Sequence, residues 1–472
     1  MMCLWHFPQH LPETWMYATK LAHTGQYRVK RVVEPELTGP VTREPTDLNQ
    51  LRKLLAPDSR TPLPIRIQGA GSACTDCNTT EIGTTIKMTG IDRIINVDSY
   101  NHTVTAQAGV LVGDLVKELA EHGLELVGGY DLAGRTIGGA ICAPCFGPSI
   151  GVHGAYFASN VIGMKIIRGD GELLKLNASQ KNLLGAFRTS FGVLGVIYEV
   201  TMRVRPIRTF TASHRRVTID KFATVVDALA GADVGFKFYL MPYRDRVYLD
   251  LRRYESDPGN TYNAPWKLKD WGESTVLPHI FKSLNRVVPI QSVRYKLIDT
   301  ISEATQGLVN SRLVTTGSNA ASQSNPGGKR PSRRCYYSSW CFPAANFSMV
   351  VKAYRDFCKT TYATSNYRCD MPAVGYRLSH DATSLLSPSF DESMIALTSA
   401  STQPKGWDDF VIDLAEFAEE WGGTPLISQS RALRAEHVIQ TYSKRLDFFR
   451  RMRRKLDPDN RLLNPFLAQF MQ

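Results

Sequence analysis

Two glycine-rich runs are the segments of this 472-residue chain whose residue types imply chemistry. The first, Gly69-Ala70-Gly71-Ser72-Ala73, follows the apolar stretch Pro64-Ile65-Arg66-Ile67, and the second is Gly134-Arg135-Thr136-Ile137-Gly138-Gly139. A run without bulky side chains lets backbone N–H groups close on an anion. Glycines after a strand commonly open a helix whose N-terminus holds a pyrophosphate. Here residues 75–85 are polar, β-branched and free of a 3.6-residue apolar stripe. The first run is therefore expected to bind an anion as a backbone nest, with no helix dipole behind it. Two such loops on one sheet-rich domain imply a long cofactor gripped from two sides.

The elements that must carry these loops are legible from periodicity. A short helix is expected over 45–55 with Pro45 in its opening turn, and strands over 64–68, 84–88, 94–98 and 103–108. Leu111, Val112, Leu115, Val116 and Leu119 make an amphipathic helix that Gly123 ends. Residues 164–168 and 172–176 flank the hairpin turn Gly169-Asp170-Gly171, and a long strand from Gly195 stops at Pro206. A second unit follows. Phe236, Phe238 and Leu240 alternate, residues 242–245 turn, and Val247, Leu249 and Leu251 alternate back as a hairpin. Helices over 349–357 and 408–421 frame strands near 334–340, 371–378 and 394–398, and a last helix ends at Asp457-Pro458. Strands and helices without βαβ repetition give an α+β class with a mostly antiparallel second sheet.

Size and composition bound the function. The chain suits two domains, and its 43% hydrophobic and 21% charged content is ordinary for a globular protein. No apolar run approaches the roughly 18 residues of a membrane span, and the first residues lack the features of a signal peptide. A cytoplasmic setting is the expectation. The net charge of +12 raises nucleic acid as a partner, but the basic residues are dispersed apart from 329–334 and 450–455. The first cluster lies in a Ser/Asn/Gly/Pro-rich stretch expected to be a loop. The second is expected on the solvated face of a helix whose Leu446, Phe449, Met452 and Leu456 form the buried stripe. An anionic substrate or peripheral contact with an anionic surface suits this charge better than nucleic acid. Cys74-x-x-Cys77 and Cys142-x-x-Cys145 have the form of zinc-ribbon pairs. Their sequence separation and their place inside the glycine loops favour small side chains lining a tunnel over a metal or a disulfide, and no metal ligands are assigned.

Taken in order, the loop Gly69–Ala73, the run Thr136-Ile137-Gly138-Gly139-Ala140-Ile141, the Asp170-Gly171 hairpin and Leu194-Gly195-Val196-Ile197 resemble the FAD-binding domain of the vanillyl-alcohol oxidase / p-cresol methylhydroxylase (PCMH-type) superfamily. Phe238-Tyr239-Leu240-Met241-Pro242-Tyr243-Arg244-Asp245 is similar to the first hairpin of the substrate domain in sugar-lactone oxidases. The stretch Lys455 to Pro465 is similar to their final motif, and the tail from Ser430 also resembles decaprenylphosphoryl-ribose 2-oxidase. The resemblance implies a PCMH-type two-subdomain FAD-binding domain over 36–210, an antiparallel-sheet substrate (cap) domain over 211–425, and a return segment over 426–472. An N-terminal arm precedes them over 1–35. It also implies that Gly69, Ala70, Gly71, Ser72, Ala73 and Asp76 cradle the pyrophosphate, and that Thr136, Gly138 and Gly139 pass over phosphates and flavin. Cys142, Phe146 and Gly147 would sit near the ring, with Ile197 giving backbone contacts.

Departures from the pattern shape the expected chemistry. Many relatives carry a flavin-linked histidine where this chain has Ser72, and bicovalent relatives carry a cysteine where it has Arg135 and Thr136. FAD is therefore expected to be held non-covalently. The resemblance's second-loop histidine is Phe146, and the lysine expected three residues before Arg431 is Ser428. A second lysine and an aspartate of the cap correspond to Tyr376 and Thr398, which makes the pocket appear poor in charge and a polyprenyl-phosphate sugar a poor fit. A base must take the hydroxyl proton as hydride leaves for the flavin. His153 is the first candidate, with Tyr376 and Arg431 next, and His380, Arg377 and Gln429 behind them. Arg431 could equally hold a salt bridge that locks the C-terminal helix. Three functions stay open: oxidation of an alcohol or lactol carbon in a sugar-like or polyhydroxylated substrate; a tailoring oxidation in secondary metabolism, with an apolar pocket around Phe146 and Trp340; and a flavin-free binding protein. The electron acceptor is left open.

Overall fold

The computed structural model describes residues 39–128, 132–147, 150, 156–232, 234–254, 264–309, 312–316 and 335–472. The N-terminal arm, His153 and the basic run 329–334 lie outside the described residues. Residues 40–472 form one compact unit.

Three sheets organise it. The strands β1 (Val41–Arg43), β2 (Ile65–Gln68) and β3 (Thr84–Lys87) pair in parallel in the order β1-β3-β2. The strands β4 (Ile94–Asp98), β5 (Thr103–Gln107), β6 (Leu124–Leu126), β7 (Val161–Ile167), β8 (Leu173–Asn177) and β9 (Val196–Pro206) make an antiparallel sheet. Its order is β4-β5-β9-β7-β8, with β6 pairing β9. Around these pack α1 (Leu48–Leu55), α2 (Val112–Glu121), α3 (Ile137–Cys142) and α4 (Lys181–Phe187). One core joins them, built from residues such as Leu55, Ile65, Leu115, Phe157, Phe187 and Val200. The chain's end returns to this core: Leu446 and Phe449 of α12 (Ala435–Leu456) and Leu467 and Phe470 of α13 (Pro465–Met471) are buried in it.

The third sheet runs β13-β10-β12-β11-β15-β16-β14-β17 and is antiparallel throughout. Its strands are β10 (Thr209–Thr218), β11 (Gly235–Met241), β12 (Arg246–Tyr254), β13 (Arg312–Thr316), β14 (Tyr336–Pro343), β15 (Ala373–Leu378), β16 (Met394–Ser401) and β17 (Thr424–Pro425). Period-two alternation assigns its faces. Phe236, Phe238 and Leu240 of β11, with Val247 and Leu249 of β12, enter a core shared with α5 (Ile219–Ala223), α6 (Val226–Gly231), α10 (Phe347–Ser365) and α11 (Trp407–Glu420). Each such side chain, once buried, contributes about 1.5–3 kcal/mol. The intervening residues Lys237, Tyr239, Asp250 and Arg252 therefore face the opposite way, and they line a cavity.

Several elements differ from expectation for clear local reasons. The first helix starts at Leu48 because the Asp47 carboxylate caps the Gln50 N–H at 2.9 Å, so Pro45 stands outside it. The helix at 347–365 outruns its expected span, closing where Asn366 turns left-handed (φ 58). Weak periodicity hid α7 (Ala264–Trp271) and α9 (Gln291–Gly307), and α8 (Leu277–Val287), whose Leu277, Ile280, Phe281 and Leu284 do form an apolar stripe, was also not among the expected elements. A five-residue π-helical segment, Gly272–Val276, joins α7 to α8. On α12 the basic run is not a uniform solvated face. Arg453 is buried, with Nε on the Met471 carbonyl at 2.8 Å and Nη1 on Asn460 at 2.6 Å. Among the described residues, no helix is long and apolar enough to cross a membrane.

Candidate active site

The first glycine loop leaves β2 and is clamped from behind. The Tyr337 hydroxyl donates to the Ser72 carbonyl at 2.7 Å, and the Cys74 N–H donates to the Ser428 carbonyl at 3.1 Å. Thr75 Oγ1 donates to Ile427 at 2.8 Å, and Arg431 Nη1 donates to the Cys74 carbonyl at 2.7 Å. Below it Arg66, fully buried, donates to the carbonyls of Cys77 at 2.5 Å, Phe191 at 2.6 Å and Leu462. Desolvation lowers this guanidinium to about 10, still well above neutrality. The front of the loop is the reverse. Among the described residues, the N–H groups of Ala70, Gly71, Ser72 and Ala73 donate to no protein acceptor. Gly71 takes φ +69, a conformation glycine alone adopts without strain. A rigid back and an unpaired row of donors in front form an anion nest.

The second loop faces the first. A Cβ on Gly69 would lie 2.0 Å from Thr136 Oγ1, so the two backbones approach this closely only because residue 69 is glycine. Thr136 also caps α3, accepting from the Gly139 N–H at 3.3 Å, while the Gly138 N–H donates to the Ala108 carbonyl at 2.8 Å. These two amides are thus occupied, and the second loop supplies surface and close approach rather than a second nest. Together the loops wall two recesses. One is lined by Gly69, Ala73, Thr136, Gly138, Gly139, Cys142, Gly195 and Ile197, with the buried Ser428 hydroxyl unpartnered in its wall. The other, of about 310 Å³, is lined by Ala70, Gly109, Leu111 and Gly134.

Arg135 connects this region to the cap. It lines both the Gly69–Thr136 recess and a cavity of about 430 Å³ beneath the third sheet. Its Nη1 donates to Cys145 Sγ at 3.1 Å, and electrostatic attraction to that sulfur outweighs desolvation and holds the guanidinium above its ordinary range. The cavity floor is one face of the sheet, with Phe210, Ala212, Lys237, Tyr239, Asp250, Arg252, Val374, Tyr376 and Thr398. Its far wall is Trp266, Asp270, Glu273, Leu277 and Gln306, and the wall toward the glycine loops is Phe146, Tyr337 and Gln429. Lys269 lies behind this wall, fully buried, 3.8 Å from Asp250, 3.5 Å from Asp270 and 3.7 Å from Glu273. Burial alone would raise the Asp250 carboxyl, but Lys269 and His214 outweigh it and hold it below the carboxylate range. Burial likewise opposes the Lys269 charge, and its acidic neighbours override this to keep the ammonium well above its ordinary value. The Glu273 carboxyl is pushed up, chiefly by desolvation.

The structure brings together most of the residues singled out in the sequence. Gly69, Ala73, Thr136, Gly138, Gly139, Cys142 and Ile197 share one recess, Ala70 lines the next, and Gly71 and Ser72 complete the loop between. Phe146 and Tyr376 meet edge-to-face at 5.9 Å in the cap cavity. Gly147 follows Phe146 and lines neither space. Asp76 stands apart: it is exposed and its carboxylate accepts from Thr79 Oγ1 at 3.2 Å. Arg431 lies behind the first loop on a carbonyl, with no ion pair among the described residues, so it positions the loop. Trp340 is buried in the cap core against His437, with ring centroids 5.3 Å apart, and forms no part of the cavity. The cavity is rich in charge, contrary to expectation, because Lys237, Asp250 and Arg252 sit on alternating strand positions opposite the apolar residues that drew attention. That alternation was the available signal. The cysteines of both Cys-x-x-Cys pairs are free, and no group of three metal-ligating side chains occurs among the described residues.

These features are those of an FAD-binding fold with a second, sheet-floored cavity, and the known proteins agree. Residues 40–177 match the model of an FAD-binding domain, and residues 200–470 match that of D-arabinono-1,4-lactone oxidase. The chain belongs to the D-arabinono-1,4-lactone oxidase family. It is 28% identical over 218 residues to L-gulono-1,4-lactone dehydrogenase of Mycobacterium tuberculosis, covering 46% of this chain and 50% of that protein. It is 25% identical over 254 residues to L-gulonolactone oxidase of Mus musculus, covering 52% of this chain and 57% of that one. The chain thus spans about half the length of the curated relatives it matches. Cholesterol oxidase from Brevibacterium sterolicum shares the fold, with a TM-score of 0.75 over 91% of this chain and 94% of that one at 13% identity.

The residues present fit FAD. The unpaired N–H row offers donors to a diphosphate, the Gly69–Thr136 approach would be closed by any side chain at 69, and the orphaned Ser428 hydroxyl offers one more polar contact.

Proposed function

We infer that this protein oxidises an alcohol or lactol carbon of a sugar-like, polyhydroxylated substrate. The observation that carries the inference is the cap cavity: it shares Arg135 with the FAD recess, and its wall carries Lys237, Asp250, Arg252, Glu273 and Gln306. An apolar substrate would leave the unpartnered Arg252 nitrogens and Gln306 Oε1 desolvated without hydrogen bonds, a cost of several kcal/mol. A polyol satisfies donors and acceptors alike. FAD, when bound, supplies the two-electron acceptor that takes the substrate hydride. The chain's own residues hold the hydroxyls and accept the proton. Tyr376, which meets Phe146 edge-to-face on the side of the glycine loops, is the candidate to accept that proton. The test is anaerobic bleaching of the flavin by a panel of aldonolactones and polyols against lipophilic alcohols. Bleaching by the polar set supports the inference, and bleaching by the lipophilic set alone overturns it.

The flavin is held non-covalently in this account. Ser72 lacks an imidazole, and burial pushes the nearby thiols of Cys74 to about 12 and Cys142 to about 11, so neither is a thiolate nucleophile at neutral pH. Acid precipitation is expected to give a yellow supernatant over a white pellet; a yellow pellet would refute the assignment. The same account gives the chain no nucleic-acid partner, supported by the burial of Arg453 within its basic run. A cytoplasmic setting is proposed with it, one in which thiols stay reduced.

A further inference from the structure

The cap cavity contains polar atoms that the fold leaves unpaired, and they are of one kind at one end. Arg252 lines the cavity with Nε and Nη1 buried and without partners, and it makes no ion pair among the described residues. The indole Nε1 of Trp266 and the hydroxyl of Thr315 are also buried and unpartnered in the same cavity, on residues only 4% and 5% exposed. Sheet register explains the grouping. Thr315 lies across from Phe210, Arg252 lies across from Ala212 on the same strand, and the Arg252 guanidinium sits 5.6 Å from the Phe210 ring. Trp266 approaches from α7, its ring 6.0 Å from that of His214. Arginine and tryptophan have donors and no acceptors. A partner for this set must accept, and a guanidinium without a counter-charge calls for an anion. The acidic wall residues do not fill that role, because Asp250, Asp270 and Glu273 surround Lys269 instead. Gln306 Oε1, also unpartnered, adds one acceptor suited to a neighbouring hydroxyl.

We propose that Arg252, Trp266 and Thr315 form an anion subsite, and that the substrate is a polyhydroxylated molecule bearing a carboxylate or phosphate away from the oxidised carbon. This deepens the proposed reaction and rests on its assignment of the cavity to substrate. The test is calorimetric binding to the FAD-loaded full chain, which needs no turnover. D-gluconate and D-glucose 6-phosphate serve as the carboxylate and phosphate probes, and sorbitol as the neutral one. At least one anion is expected to bind more tightly than sorbitol, and the tighter of the two identifies the anionic group. Arg252→Met is expected to lower the anion-to-sorbitol affinity ratio about 10–100-fold, the loss of a charge-assisted contact. Trp266→Phe, which keeps the ring and removes the N–H, is expected to lower it about 3–10-fold. Wild-type protein that binds neither anion better than sorbitol, or an Arg252→Met ratio equal to wild type, overturns the subsite. Anion binding with the expected ratio change, in a protein whose flavin no polyol bleaches, upholds the subsite while removing the proposed reaction.

Discussion

Gly69→Ala protein is expected to purify without flavin and to bind added FAD about 100-fold more weakly than wild type, a loss near 3 kcal/mol. The new methyl carbon would lie 2.0 Å from Thr136 Oγ1, far inside contact distance, and 3.2 Å from its Cβ. Neither loop yields cheaply. The first is tied to the return segment through Cys74, Thr75 and Arg431, and the second is stitched to the segment before α2 by Val112 to Arg135 and Ile137 to Val110 bonds of 2.9 and 2.8 Å. The clash therefore separates the loops and misplaces the row of N–H donors. A double variant tests the geometry. Thr136→Ala removes Oγ1, so Gly69→Ala combined with it is expected to bind FAD more tightly than Gly69→Ala alone. Fluorescence titration of FAD measures both. Additive losses would mean the two residues do not meet.

Lys269→Met is expected to lower stability by about 3–5 kcal/mol, the cost of stranding buried charges by removing one partner. The ammonium is fully buried and faces three carboxylates within 3.8 Å. Methionine fills the space and leaves Asp250, Asp270 and Glu273 to repel one another. The pH dependence has a definite sign. The folded-state pKa of Lys269 is raised, so its contribution is complete below the unfolded value of roughly 10.4 and fades as pH rises through the folded value. Asp250 is depressed in the wild type, so its contribution holds above an unfolded value of roughly 3.9 and fades as pH falls further. In the variant the stranded acids protonate more readily. The stability gap between the two proteins, read from urea unfolding, is therefore widest near neutrality and narrows on acidification. A gap that stayed constant down to pH 4 would show that the carboxylates do not depend on Lys269.

How much the sequence disclosed follows from what kind of signal each feature leaves. The glycine loops were legible because Gly69 and Gly71 answer backbone demands that no other residue meets, and their strand Ile65–Gln68 is short and apolar. The β11–β12 hairpin was legible because Phe236, Phe238, Leu240, Val247 and Leu249 alternate cleanly into one core. The same alternation already contained the cavity floor, yet Lys237, Asp250 and Arg252 were not singled out, because an alternating polar position lines a cavity only where the sheet has a second cover. In that cover α7 and α9 have no strong apolar stripe, since their buried contacts include Lys269, Ser302 and Gln306, and only α8, with Leu277, Ile280, Phe281 and Leu284, carries one. Arg431 was expected in the pocket or in a salt bridge, and Arg453 on a solvated helix face. Each in fact donates to a backbone carbonyl distant in sequence, a pairing that leaves no local trace.

The account stands on one structural claim, that the unpaired amides of residues 70–73 face Thr136 across a gap made for a flavin dinucleotide. The most direct measurement is the absorbance spectrum of the full chain after incubation with FAD and removal of free ligand. One flavin per chain, released intact by acid, is the predicted result. A protein that stays colourless while correctly folded would contradict the account at its base.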